Sequence, residues 1–461
     1  MGIDVSKGYA DFCILNSNKQ RTEENFQLDD QKEGHDKLKE KLLELAKSNS
    51  ELIVGLENTG GYERNWLNAV KQLSKKYPKV KAYKLNPKAI KHQIQSLMKR
   101  VVDDSISAYG IALYMINHHQ VHEKDWDKST NKSAKYTSEQ LLHSMIMGLI
   151  KQRTAKLNQL EKLIYSAFPE LLKFTKNSSP VWVLRLLEKY PTSQKVKMAK
   201  VCGLTKIKNI TITKAEQLKA MANNSVACLH DEVIETIITQ QSKDILYLNE
   251  EIDKLKKVLV ATYAETPELK ITKSIKGIAD WSAVSFLIEL GDYKRFNSTD
   301  QLASFFGVNP SFKQSGDGKY KVRMAKQGSA KMRAVLYNIA HNLVMHNPYF
   351  KNIYAKHRAK AKKHRAVMGI IMHKVLRVLW GMLMSKTEFD KNVDIRNQEN
   401  SKHNNEKPTE LINQKSRRYQ NINLEAPVSR TNYKKRKATL EPQSSTVDES
   451  HEVEESSLVQ T

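Results

Sequence analysis

Hydrophobic and polar residues alternate along this chain with two different periods, and the change of period divides it. Over roughly the first 120 residues, "GIDVS", "YADFCILN" and "TEENFQL" read as three short strands close together. "DDQKEGHDKLKEKLLELA" follows as an amphipathic helix whose apolar stripe is Leu38, Leu42, Leu43 and Leu45. "ELIVGLENTG" predicts a fourth strand ending in a Gly-rich turn, and a helix follows around Trp66 to Leu73. "KVKAYKLNP" is a fifth strand stopped by Pro87. "KRVVDDSISAYGIALY" then opens another helix, where an acid suits both the N-cap and the helix dipole.

From about residue 135 the period is helical. Ile146, Ile150, Leu157, Leu160 and Ile164 keep one face of a long helix apolar. A second helix places Ile238, Ile245, Ile252 and Leu259 seven apart, with Leu248 and Leu255 on the alternate seam and Gln241 as a polar break. That pattern fits a coiled coil, within one chain or between two, and equally an internally packed helical hairpin. "KVKMAKVCGLTKIKNITITKAEQL" between them is a smaller basic helix–turn segment. "SIKGIADWSAVSFLIELGDYKRF" has a Gly-centred turn leading into an apolar helix, an arrangement that can offer backbone N–H groups to a DNA phosphate.

Three strands, a helix, then alternating strands and helices is the order of a ribonuclease H-like core. The predicted fold class is therefore α/β plus all-α, in four parts: an α/β domain over 1–125, a helical or coiled-coil spacer over 126–268, a mostly helical domain over 269–388, and a charged, disordered tail over 389–461. Within the tail, "KSRR" and "KKRK" are either a solvated tail or a basic arm that adds affinity for nucleic acid.

Charge narrows the partners. Among 461 residues, 76 Lys and Arg face 50 Asp and Glu, a formal net charge of +26. Such an excess calls for a polyanion. No uninterrupted apolar run reaches the roughly 18 residues of a membrane span, and the N-terminus does not read as a signal peptide. Cys13, Cys202 and Cys228 lack metal-site spacing and fit a reducing cytoplasm. Nucleic acid is the expected partner, with no membrane.

Asp4 lies in the first strand, Glu57 ends the fourth, and Asp104 opens the helix after the fifth. In a ribonuclease H-like sheet these places converge at one edge. Clustered carboxylates repel unless a divalent cation neutralises them, and hard oxygen ligands suit Mg²⁺. Taken alone, Asp4 and Glu57 also read as strand-end acids and Asp104 as a helix cap; in the combined reading Asp104 is both, an N-cap whose remaining lone pairs face the metal, and Asp103 is solvent-side or structural. Further on, Ser315 sits in "KQSGDGKYKVRMAKQGS", where Gly316 and Gly318 permit close approach to phosphate. Lys313, Lys319, Lys321 and Arg323 surround it with charge, and Lys326 and Arg333 extend the track. Ser315 reads either as a nucleophile or as a polar turn serine, with Ser311 and Ser329 as alternatives. "YAKHRAKAKKHRAVM", with Lys356, Arg358, Lys360, Lys362, Lys363 and Arg365, reads as a phosphate-contacting surface.

"GIDVSK", "GLENTGGYE", the acid-bearing helix and the stretch from "IKGIADWSAVSFLIELGDYKRF" to "VLYNIAHNLVMHNP" together resemble the DEDD transposases of the insertion-sequence-110 family, whose relatives include Piv-type DNA invertases. The resemblance covers roughly residues 1 to 385. It implies a RuvC-like domain binding Mg²⁺ (or Mn²⁺) through Asp4, Glu57 and Asp104, and a second domain supplying Ser315 as nucleophile. It also implies DNA partners, both element ends and target, selected by a structured guide RNA, and composite active sites assembled between subunits of a homo-oligomer, dimer or tetramer, joined through the spacer. Two departures stand out. The family's fourth acid, three residues after the third, is here Ser107, whose hydroxyl is a poor Mg²⁺ ligand. Met1 also directly precedes "GIDVSK", as in a late start or a trimmed copy.

The expectation is a transposase or site-specific recombinase of a bacterial insertion sequence, acting on DNA in the cytoplasm. The alternatives are a hydrolytic RuvC-like metal-dependent nuclease, and a catalytically weakened nucleic-acid-binding derivative.

Overall fold

The computed structural model describes residues 1–48, 51–98, 103–129, 134–175, 179–311, 314–315, 318–319 and 323–397. At 120–129, 134–137, 314–315, 318–319 and 323 it describes the backbone only. Both basic clusters of the expected tail lie outside the described residues. The chain divides into two compact units, Met1–Leu141 and Leu142–Thr461.

The first unit is built on a five-stranded mixed sheet of order β3-β2-β1-β4-β5. Its strands are β1 (Gly2–Val5), β2 (Tyr9–Cys13), β3 (Phe26–Asp29), β4 (Leu52–Glu57) and β5 (Val80–Leu85). The first three are antiparallel, while β4 runs parallel to both β1 and β5. First and fourth strands are thus neighbours, as the element order leads one to expect. Helices α1 (Lys32–Ser48), α2 (Glu63–Lys76), α3 (Pro87–Ser96) and α4 (Asp104–Ser129) complete the unit.

Alternation along the strands sorts residues between the two faces. Ile3, Val5, Phe12, Val54 and Leu56 are buried in one cluster with Leu38 and Leu42 of α1 and Trp66 and Val70 of α2. The Phe12 ring meets Trp66 edge-on at 5.4 Å. Each such side chain contributes about 1.5–3 kcal/mol by leaving water. The opposite face carries Gly2 and Asp4 on β1, Asp11 and Cys13 on β2, and Gly55 and Glu57 on β4, and α4 lies on it. Two glycines permit that approach: a Cβ at Gly2 would stand 2.2 Å from the Ala108 carbonyl oxygen, and one at Gly55 2.6 Å from the Met115 side chain. The helix answers with small residues, Ala108 and Ala112, packed on Cys13. Pro87 does stop the fifth strand, and it also starts α3, with Asn86 as a cap accepting from the Lys88 N–H.

The second unit is helical apart from two short strand pairs. Its helices are α5 (Ala134–Ala167), α6 (Val181–Lys189), α7 (Ser193–Met198), α8 (Val201–Thr205), α9 (Ile212–Asn223), α10 (Glu232–Ala261), α11 (Pro267–Lys273), α12 (Asp280–Leu290), α13 (Thr299–Phe306), α14 (Ala330–His346), α15 (Pro348–Ala359) and α16 (His364–Ser385). The strand pairs are β6 (Pro310–Ser311) with β9 (Arg323–Met324), and β7 (Gln314–Ser315) with β8 (Gly318–Lys319).

The seam on α10 is filled from within the chain. Ile238 and Ile245 belong to a small core formed with α6 to α9, whereas Ile252 and Leu259 belong to the larger core of α11 to α16. Polar bridges line α10 up with α5: Lys156 to Asp244 at 2.7 Å and Arg153 to Asn249 at 3.1 Å. The heptad residues Ile238, Ile245, Ile252 and Leu259 are thus buried within this chain. Helix α16 is long and apolar enough by composition to cross a membrane, and Val367, Ile371, Val375, Leu376 and Leu379 are buried in the larger core instead.

Candidate active site

Sheet register brings the expected acids to one end of the first unit. Asp4 of β1 pairs with Asp11 of β2, and Asp11 pairs in turn with Gln27 of β3. On the other side, Ile3 aligns with Leu56 in a parallel pair, so Glu57 lies beside Asp4. Neighbouring strands stand about 4.8 Å apart. A polar row Gln27–Asp11–Asp4–Glu57 therefore crosses four strands on the face that α4 covers, and Asp104 joins it from the first turn of α4.

The electrostatics agree with that placement. Burial pushes the Asp4 carboxyl up to about 6, and Asp104, Glu57 and Asp11 push in the same direction. Burial raises Glu57 as well. Asp11 is raised by burial and by Asp104 and Asp103, against a hydrogen bond from Gln27 that pulls it down. The donor set is all carboxylate, which fits a hard divalent cation and would lose its mutual repulsion by taking one. Among the described residues, no three His, Cys, Asp or Glu side chains converge tightly enough to hold an ion as they lie. The acids share a sheet end without meeting at a point.

The helix cap differs from expectation. The Ile106 N–H donates to Asp103 Oδ1 at 2.7 Å, so Asp103 is the N-cap. Asp104 is not the cap: it is the first helical residue, because α4 begins one position earlier than an Asp104 cap requires. Its Oδ2 accepts instead from the Tyr9 hydroxyl at 3.1 Å. Ser107 follows three residues later on α4, half-buried, its N–H bonded to the Asp103 carbonyl at 2.9 Å.

Beyond Glu57 the Gly-rich turn is clamped by a residue that pattern reading passes over. Glu63 is buried; its Oε2 accepts from the Gly61 N–H at 2.8 Å and the Thr59 hydroxyl at 3.2 Å, and its Oε1 accepts from Lys84. Bonds to the charged form hold Glu63 below the usual carboxylate range in spite of its burial. Asp11 and Tyr9 carry no signal in the sequence: strand pairing sets Asp11 against Asp4, and the Tyr9 hydroxyl reaches Asp104 across to α4.

In the second unit, the backbone of Ser315 pairs with Gly318 in the β7–β8 hairpin. Lys313 and Lys321 lie outside the described residues, and Ser315, Lys319 and Arg323 are described by their backbone alone. The base of this ribbon is packed backbone to backbone. A Cβ at Gly307 (φ +66°) would stand 2.0 Å from the Gln327 carbonyl oxygen, and one at Gly328 (φ +120°) 2.2 Å from that of Phe305. Arg333, expected on the phosphate track, donates to the carbonyls of Phe306 (3.1 Å) and Gly328 (3.0 Å), stapling the end of α13 to the turn before α14. Lys326 is exposed beside it. Of the alternative serines, Ser311 is exposed on β6, while Ser329 caps α14 and donates to Glu289 at 3.0 Å.

The turn between α15 and α16 presents Lys356, Arg358, Lys360, Lys362, Lys363 and Arg365, all exposed. Arg358 donates to the Lys362 carbonyl at 2.7 Å, and Tyr354 bonds His364 at 2.9 Å, so the turn has a fixed form. Between residues 318 and 387 there are 16 Lys and Arg and no Asp or Glu.

Two family profiles match the chain. Residues 1–169 match the DEDD-type IS110 transposase profile, described as a transposase, and residues 269–355 match the transposase IS116/IS110/IS902 family. Among curated relatives, an uncharacterized 44.8 kDa protein of insertion element IS116 from Streptomyces clavuligerus is 21% identical over 259 residues, covering 55% of this chain and 65% of that protein. A pilin gene-inverting protein of Moraxella bovis is 27% identical over 28% of this chain and 42% of its own length. The transposase of insertion sequence element IS1111A from Coxiella burnetii is 22% identical over 32% of this chain and 41% of its own. The chain thus spans less than two thirds of the length of these relatives. The acid row falls inside the first matched stretch and the serine ribbon inside the second: the chain belongs to the IS110 family of transposases.

Proposed function

We propose that the protein is a DNA transposase or site-specific recombinase that cuts and rejoins DNA strands in the bacterial cytoplasm. The observation that carries this reading is the row of acids at the end of the five-stranded mixed sheet, lying within the stretch similar to DEDD transposases; a RuvC-like domain is the fold this reading assigns to it. Asp4, Glu57 and Asp104 would hold Mg²⁺ or Mn²⁺. A divalent cation there neutralises phosphate charge during phosphodiester exchange.

Ser315 is the nucleophile in this reading. Its Oγ–P bond forms as the P–O bond to one deoxyribose breaks, and the released deoxyribose oxygen takes up a proton; rejoining reverses these changes. The exposed α15–α16 turn and Lys326 contact DNA phosphates. Element ends and target are the DNA partners, a structured guide RNA selects them, and the working form is a dimer or tetramer. The four-part domain division, with the serine domain over 269–388, belongs to the same reading.

The test is covalent trapping. The full chain is incubated with element-end DNA and Mg²⁺, then denatured, and a protein–DNA adduct is expected that disappears in Ser315→Ala. Cleavage by Ser315→Ala at the wild-type rate would leave the hydrolytic RuvC-like nuclease in its place. A second reading is favoured by Ser107: a derivative that binds nucleic acid with weakened catalysis. DNA binding without cleavage, at saturating Mn²⁺, would establish that alternative.

A further inference from the structure

The position where this chain carries Ser107 has no charge to give a cation, and the structure offers another acid nearby. Asp11 is the direct cross-strand partner of Asp4. Two residues further on, the same pairing sets Gly2 against Cys13, and both lie under α4. Side chains two apart on a strand share a face, so Asp4 and Asp11 both point to the side of α4. Tyr9, two residues before Asp11, is on that face as well, and its hydroxyl holds the Asp104 carboxylate toward β2. Asp104 is therefore turned toward the strand that bears Asp11.

We propose that Asp11 is the fourth carboxylate of the divalent-cation site, taking the part that Ser107 cannot. This rests on the reading of the sheet end as a cation site. Side-chain type and place support it together. Adjacent strands space Asp11, Asp4 and Glu57 at about 4.8 Å intervals, so side-chain rotation about a bound ion, and not a change of fold, is what bringing neighbouring carboxylates onto it requires. Asp103 is not an equivalent substitute, since its carboxylate is engaged in capping α4. The cation-free fold gives Asp11 little reason to be an acid. Its hydrogen bond from Gln27 is long, at 3.3 Å, and Asp4, Asp103 and Asp104 all repel it. An asparagine would keep a bond to Gln27 without the repulsion.

The experiment compares the full-length wild type with Asp11→Asn, Asp11→Ser, Ser107→Ala and Asp4→Asn. Mn²⁺ affinity is read by isothermal titration calorimetry, and the melting temperature is read in EDTA. Asp11→Asn and Asp11→Ser are expected to weaken Mn²⁺ binding by about tenfold or more. Asp11→Asn should also raise the EDTA melting temperature, since it removes repulsion. Ser107→Ala should leave both readouts near wild type. Wild-type Mn²⁺ affinity in both Asp11 variants, with binding lost in Asp4→Asn, overturns the proposal and leaves the cation site standing. So does a lower EDTA melting temperature in both Asp11 variants, which marks a structural acid, or a loss of affinity confined to Ser107→Ala. If the wild type itself takes up no Mn²⁺, the cation-site reading falls and this proposal with it.

Discussion

Gly2 lies so close beneath α4 that a methyl group on it would stand 2.2 Å from the Ala108 carbonyl oxygen. The obstacle is backbone, in a helix that also carries Asp104, so it cannot rotate aside. Gly2→Ala should destabilise the first unit by about 1–3 kcal/mol and lift α4 off the sheet. Gly55→Ala meets the Met115 side chain at 2.6 Å, which can turn away, and should cost less. Urea melts of the two variants give the order, and equal losses would contradict this account of the packing.

The raised Asp4 carboxyl sets a pH dependence for the cation-free protein. The unfolded value is near 3.8 and the folded value about 6, so the folded chain binds the proton more tightly. Stability from this group is fully present below about pH 3.8 and is lost as pH rises through 6. In EDTA, Asp4→Asn should therefore melt higher than wild type at pH 7.5, by about 2–6 °C, and the gap should close toward pH 4. Thermal melts across that range decide it; a variant that melts lower at pH 7.5 would contradict a cost from burying this charge beside Asp104, Glu57 and Asp11.

Asp103 and Asp104 are adjacent, and their substitutions should separate cleanly. Asp103→Ala removes an N-cap and should lower stability by about 1 kcal/mol, with strand cleavage retained. Asp104→Asn keeps the helix start and the bond from Tyr9, and should lower cleavage by about tenfold or more with little change in melting. Cleavage lost in Asp103→Ala and kept in Asp104→Asn would reverse the two roles assigned above.

The α15–α16 turn should act through charge alone. Replacing Lys360, Lys362 and Lys363 by Gln should weaken DNA binding without regard to sequence. It should also reduce the salt dependence, log K against log salt, by about one unit for each phosphate that is no longer neutralised. An unchanged slope would place the DNA elsewhere.

Much of the first unit is legible from its sequence because strand alternation and helix periodicity report local structure. Asp4, Glu57 and Asp104 could be placed at one sheet end from element order alone. Asp11 could not, because its relation to Asp4 exists only once β1 and β2 pair, and a one-residue slip would turn it to the other face. The sequence points to Asp104 as the cap, where the structure has Asp103, for a related reason: two adjacent acids suit a helix start equally, and only the Ile106 N–H distinguishes them. Arg333 looks like one more cation in a basic stretch, and its carbonyl partners on Phe306 and Gly328 come from the end of α13, more than 20 residues earlier, and from the turn just before α14. The heptad of α10 fits a partner helix of either origin, since spacing records that a face is buried and not by what.

That helix has a mechanical consequence. Ile238 and Ile245 are embedded in one core and Ile252 and Leu259 in the other, along a single unbroken run from Glu232 to Ala261. Neither core can loosen at α10 without fraying hydrogen bonds that also support its neighbour. The helix works as a shared beam, so amide exchange should report the two cores opening in one cooperative step. A load placed on α7 to α9 would then be felt as strain in the larger core of α11 to α16.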